Sequence, residues 1–216
     1  MEYYIPTKAA ETEFTEKRSR FIGHLWRAES EEDARARIEE MKKRYYDARH
    51  NCWCYRLREG GVERYSDDGE PQGTAGQPML NVFQREGVEN VVFVSTRYFG
   101  GILLGAGGLV RAYTQSAKDT LDAAGISVVR RWQEVELPCP YPLFERMKLE
   151  IAAAHGVEGE HGYADIVTVK ALLPEGEVSA FTQRVTELSA GSCTLQMTGE
   201  VWRDVPLAAC GTEVCL

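Results

Sequence analysis

The chain has 216 residues, 44% hydrophobic and 27% charged, with a mean hydropathy of −0.35, values ordinary for a globular protein of one large or two small domains. No apolar run reaches the ~18 residues of a membrane helix, Met1-Glu-Tyr-Tyr-Ile-Pro6 is no export signal, and six cysteines without a Cys-x-x-Cys pair make no disulfide scaffold, so a cytoplasmic location with reduced thiols is expected. The net charge of −8 divides into −1 over residues 1–130 and −7 over 131–216, which excludes a surface that binds DNA everywhere and leaves room for a local arginine-lined site in the first part.

In chain order, Arg20–Trp26 roughly alternates apolar and polar residues and predicts a strand. Ser30 followed by Glu31, Glu32 and Asp33 predicts a helix start, a capping hydroxyl with acids in the first turn, and that helix runs to about Tyr45. Asn51–Leu57 predicts another strand, which Gly60-Gly61 turns into Val62–Tyr65. Ser66–Gly76 is loop by composition, and Pro78–Arg85 suits a helix with its proline in the first turn. Val91–Ser95 is a continuous apolar run, hence a strand covered on both faces. Gly107–Ala124 predicts a helix ended by Gly125.

A domain boundary is expected near Arg130-Arg131, giving parts 1–130 and 131–216 with no Pro/Gly/Ser linker between them. The second part reads as strand Glu134–Leu137, helix Leu143–Ala154, strand Gly156–His161, strand Ile166–Leu173, helix Val178–Leu188 and strand Ser192–Thr198. That order, βαββαβ, is the ferredoxin-like pattern. It carries no glycine loop and no His/Cys cluster, so its expected work is docking or shaping a surface.

Two motifs concentrate the chemistry. In Ser66–Pro78 the acids Asp67, Asp68 and Glu70 precede Gly73, Thr74 and Gly76. Paired carboxylates suit Mg²⁺ or acid–base work, and free N–H groups from Gly73 to Gly76 suit an anion. The same acids equally suit turn and cap hydrogen bonds. In Thr96–Tyr113 five glycines, Gly100, Gly101, Gly105, Gly107 and Gly108, fall within nine residues between a strand and a helix. Such a loop lets backbone approach a ligand, a phosphate or a neighbouring chain, and Arg97, Tyr98 and Arg111 beside it suit an oxyanion. Neither the dinucleotide-binding register nor the Lys-Ser/Thr of a phosphate-binding P-loop is present. The alternative is a purely conformational loop whose arginines pair with the acids of the first motif. On a strand His50, Cys52 and Cys54 share one face, which offers a thiol with a histidine or, more simply, a buried thiol beside a structural histidine.

Arg18-Ser-Arg20-Phe21, His50-Asn-Cys52, Ser66–Gly76 and Thr96–Tyr113 together resemble the IMPACT family, in particular its bacterial members, and the likeness covers nearly the whole chain. Trp53 and Cys54 stand where smaller or tyrosine-like residues are usual, and Leu103 where a lysine is usual, which takes one cation from the anion site. The resemblance implies an α+β fold. The first domain would be like the second domain of small-subunit ribosomal protein five, the second a ferredoxin-like domain similar to domain V of elongation factor G. Eukaryotic members of the family regulate translation initiation through an extra N-terminal domain, so that partner does not transfer.

The expected function is therefore a non-catalytic cytoplasmic regulator that binds RNA, the ribosome or a translation factor through the Arg/Gly groove, with Arg20, His50 and Cys52 as accessory residues. The alternative is an enzyme on a phosphorylated or anionic small molecule, with Asp67, Asp68 or Glu70 holding Mg²⁺ or moving a proton. No other cofactor, no fixed metal centre and no membrane partner is expected.

Overall fold

A computed structural model describes residues 2–207. The first part begins with β1 (Tyr3–Pro6), β2 (Ala10–Glu16) and β3 (Ser19–Arg27), and continues through α1 (Glu31–Arg44), β4 (His50–Leu57) and β5 (Val62–Ser66). Then come α2 (Gly76–Arg85), β6 (Val91–Tyr98) and α3 (Ala106–Ala124). The strands β2-β3-β6-β4-β5 form a five-stranded sheet in that order, antiparallel throughout.

Strand β6 lies at the centre because it is apolar on both faces. Phe93 joins Phe21, Leu25, Cys52, Cys54, Met79, Phe83 and Tyr113 in a core under α2 and α3. Val92 and Val94 join Tyr55, Leu57, Ala34, Ile38 and Met41 in a second core under α1. Helix α1 starts as its sequence predicts, with Ser30 Oγ accepting from the Asp33 N–H at 3.1 Å. Helix α3 shows eight buried residues at helical spacing, from Leu109 to Ala124, and is bounded by Gly105 (φ +73°) and Gly125 (φ +70°), conformations that favour glycine.

Strands β1 and β2 lie outside the sequence prediction. The inward residues of β2, Ala10, Thr12 and Phe14, are only half-buried and weakly apolar, as suits an edge strand paired on one side. A two-residue turn, Lys17-Arg18, joins β2 to β3, and both residues have positive φ (+45° and +65°). That mirror-image turn matches the strand twist, at a steric cost for residues that carry a Cβ.

Strand β7 (Ile126–Cys139) follows, then α4 (Tyr141–Ala153), β8 (Val157–Glu158), β9 (Gly162–Tyr163), β10 (Val167–Pro174), α5 (Val178–Leu188) and β11 (Gln196–Pro206). Contacts divide the chain into two units, Tyr3–Val128 and a second made of Glu2 with residues 129–207. In the second unit β10 pairs antiparallel with β7 on one side and with β8 and β9 on the other, while β11 pairs with β7. Val135, Leu137, Met147, Ile151, Val169, Phe181 and Val185 form its core with α4 and α5.

The molecule is thus a two-unit α+β protein with antiparallel sheets. The strand expected at Gly156–His161 shrinks to the two residues of β8, a second short strand, β9, follows just beyond it, and the last strand starts at Gln196 rather than Ser192. The strand read at Glu134–Leu137 is the far end of β7, whose earlier half hides behind the charges of Arg130 and Arg131. No described helix is long and apolar enough to cross a membrane.

Candidate functional site

The acidic loop folds upon itself. Asp67 accepts from three backbone N–H groups, with Oδ2 on Gly73 at 2.8 Å and Oδ1 on Ala75 at 3.0 Å and Gly76 at 2.8 Å. Its carboxylate therefore holds the start of α2, where the helix dipole favours a negative charge. The anion site expected at Gly73–Gly76 is occupied by the chain's own aspartate. Thr74 belongs to the same turn, its Oγ1 donating to the Pro71 carbonyl at 2.7 Å.

Asp68 pins the loop to β4. Its Oδ2 accepts from the Asn51 N–H at 2.7 Å, and its carbonyl oxygen faces His50 Nδ1 at 2.8 Å. Both aspartates make turn and cap bonds rather than pointing at a common centre. Among the described residues no group of three or more His, Cys, Asp or Glu side chains is placed to hold a metal ion, so the three acids do not converge on Mg²⁺.

Glu70 turns the other way, into the protein. Its Oε1 accepts from Arg97 Nη1 at 2.5 Å and from the Tyr113 hydroxyl at 2.9 Å. Arg97 is only 5% exposed, with Nη2 on Ser19 Oγ at 3.2 Å and its guanidinium between the rings of Phe21 and Phe99. Register explains the meeting: Arg97 lies opposite His50 on β4 and Phe21 on β3, on the face that α3 covers. Arg97 is thus no free cation of an open groove; its charge belongs to Glu70.

Cys52 stands behind this pair. Its thiol lies 2.9 Å from the Asp67 carbonyl and 3.4 Å from the Tyr113 hydroxyl. Burial pushes the thiol well above its ordinary pKa, and the nearby carboxylates of Glu70, Asp68 and Asp67 add to the shift. A thiolate nucleophile is disfavoured there, leaving the structural reading. Burial likewise raises Tyr113, reinforced by Cys52 and Glu70, so the phenol remains a donor.

The glycine loop closes over the pair. Gly100 presses on the Arg18 backbone, where any Cβ would collide with the carbonyl group, and its N–H donates to Ser19 Oγ at 3.3 Å. Gly101 takes φ +84°, and Gly105 turns the chain into α3. No side chain caps that helix, and the N–H groups of Ala106, Gly107 and Gly108 are its first-turn donors. Arg111 is exposed one turn on, its Nη1 3.7 Å from where a Cβ on Gly107 would be.

These elements enclose a cleft of about 340 Å³ in the first unit. His50, Glu70 and Arg97 make its floor; Phe99, Leu104 and Leu109 its apolar side; Arg49, Leu103, Gly105 and Ala106 line it too, with Gly69 and Pro71 of the acidic loop. Arg49 and Arg111 have no side-chain partner among the described residues. Two expected residues lie elsewhere: Tyr98 is on the opposite face of β6, donating to Asp47 at 2.8 Å, and Arg20, exposed near the start of the otherwise buried β3, pairs with Glu13 at 2.7 Å. Sequence reasoning passed over Arg49, Phe99 and Tyr113, although Arg49 adjoins the His50 motif and the other two lie within the glycine motif.

Residues 17–121 match the family described as Impact N-terminal domain, and residues 137–192 match a domain of unknown function, DUF1949. The chain is 35% identical over 195 residues to the IMPACT family member YvyE of Bacillus subtilis (strain 168), covering 90% of each. It is 34% identical over 182 residues to the IMPACT family member YigZ of Escherichia coli (strain K12), covering 83% of this chain and 89% of the relative. A solved structure titled "Crystal structure of an hypothetical protein" superposes with a TM-score of 0.57 at 31% identity, covering 92% of this chain and 98% of that one.

Proposed function

Since the chain belongs to the IMPACT family, we propose that it is a non-catalytic cytoplasmic protein that binds RNA of the translation machinery at the cleft of its first unit. One observation carries the proposal. The uncapped start of α3 opens at the same cleft mouth as Arg49, with Arg111 beside its first turn, and neither arginine is paired with an acid among the described residues. Backbone N–H groups at a helix start and unpaired arginines are what a phosphate binds. Phe99, 41% exposed on the apolar side, adds a ring on which an unstacked base can lie.

The translation setting comes from the family resemblance. We also read the first unit as related to the second domain of small-subunit ribosomal protein five, and the second to domain V of elongation factor G. The order from β7 to β11, βαββαβ once the two-residue strands β8 and β9, which both pair with β10, are counted as one broken strand, supports the latter reading. The acids give no support to chemistry on a metabolite, because Asp67 and Asp68 hold backbone and Glu70 holds Arg97.

The test is fluorescence anisotropy with a labelled single-stranded RNA of twelve nucleotides at low salt. Arg49→Ala and Arg111→Ala are each expected to weaken binding by about three- to ten-fold, and the double variant by more. A double variant that binds like the wild type would remove the proposed surface.

A further inference from the structure

The donors at the cleft mouth account for a phosphate, yet the floor offers the opposite chemistry. His50 is 9% exposed and its ring lines the cleft. Its Nδ1 faces the Asp68 carbonyl oxygen at 2.8 Å, a group that only accepts, so Nδ1 carries the proton. In the neutral ring Nε2 is then an acceptor. It has no hydrogen-bond partner: the carboxylate oxygen facing it, Glu70 Oε1 at 3.9 Å, is an acceptor too.

Glu70 repeats the pattern. Oε1 is engaged by Arg97 and Tyr113, while Oε2 has no partner, and the residue lines the same cleft at 8% exposure. Two neighbouring acceptors on the floor of a cleft call for donors from whatever enters it. A phosphodiester cannot serve, since its oxygens are acceptors and bring no donor. An uncharged hydroxyl can.

Resting on the RNA-binding reading above, we propose that His50 Nε2 and Glu70 Oε2 form a ribose-hydroxyl subsite. A nucleotide of single-stranded RNA seats there with its phosphate outward at α3 and Arg49 and its base against Phe99. The 2′-hydroxyl gives its one proton to His50 Nε2, with Glu70 Oε2 beside it. A site whose acceptors face a hydroxyl rejects the analogue that lacks it, because the acceptors lose water without gaining a partner. The cleft therefore distinguishes RNA from the same sequence without the donor.

The experiment compares one twelve-nucleotide single-stranded sequence as RNA, as 2′-fluoro RNA, which keeps the sugar pucker but cannot donate, and as deoxyuridine-containing DNA. Anisotropy is read for the wild type and for His50→Phe, which keeps the ring and removes the acceptor. Wild type is expected to bind RNA about ten-fold more tightly than either analogue, the worth of one ligand hydrogen bond, and His50→Phe to bind all three within about two-fold. Equal wild-type affinity for RNA and 2′-fluoro RNA overturns this inference while leaving the RNA reading intact. A preference that survives in His50→Phe overturns the assignment to His50. Binding of none of the three overturns the reading and the inference together. Should His50→Phe not fold, the wild-type comparison alone decides.

Discussion

Arg97 and Glu70 meet at 2.5 Å with side chains only 6% and 4% exposed, so each neutralises a charge largely withdrawn from water. Arg97→Ala would strand the Glu70 carboxylate in the core and is expected to cost about 3–5 kcal/mol, read as the urea midpoint of the folded chain. Any loss of binding in that variant reports unfolding, whereas Arg49→Ala and Arg111→Ala alter exposed side chains and report the cleft. The sequence marks Arg97, Glu70, His50 and Cys52 as candidates in separate motifs without showing which of them meet or which faces outward. A pattern of residue types gives the neighbourhood of a charge; whether that charge meets solvent depends on register, here on Arg97 lying opposite His50 and Phe21 across two strand boundaries. Asp67 illustrates the same limit, since the three N–H groups that occupy it come from six to nine positions downstream.

The glycine loop and the strained Lys17-Arg18 turn are one mechanical element. Both turn residues hold positive φ, and Gly100 lies against the Arg18 backbone with no room for a side chain. Gly100→Ala must displace either the turn or the loop, and is expected to destabilise by about 1–3 kcal/mol and to lose RNA binding as Phe99 moves. Gly107→Ala is the opposite case: its Cβ would meet nothing nearer than 3.7 Å, φ is not positive, and the helix gains about 0.5–1 kcal/mol. Thermal melting of the two variants beside wild type checks both signs. Helices and inner strands of both units were legible because burial imposes a period on their apolar residues. Strand β2, facing solvent at Glu11, Glu13 and Thr15, carries almost no such period, and β8 and β9, two residues each, are too short to have one.

At the scale of the whole molecule, a net charge of −8 forbids diffuse attraction to a polyanion, so binding must run through the few cations at the cleft. With Arg49 and Arg111 as the contacting pair, the logarithm of affinity is expected to fall with the logarithm of salt at a slope of about −1.4, and of about −0.7 in either single variant. A much steeper slope in the wild type would place the contact on a broader basic surface. The change of charge along the chain falls at Arg130-Arg131, while the two units part between Val128 and Val129. Composition locates a shift in surface; it does not see that β7 passes through that point as one uninterrupted strand. This continuity restricts how such a protein can change over generations. Because side chains alternate along a strand, inserting or deleting a single codon at the junction would reverse the face on which Val128 and the β7 residues before it lie relative to Val135, Leu137 and Cys139 after it. Lineages carrying both units are free to vary the loops on either side, but the joint itself tolerates length changes only in pairs.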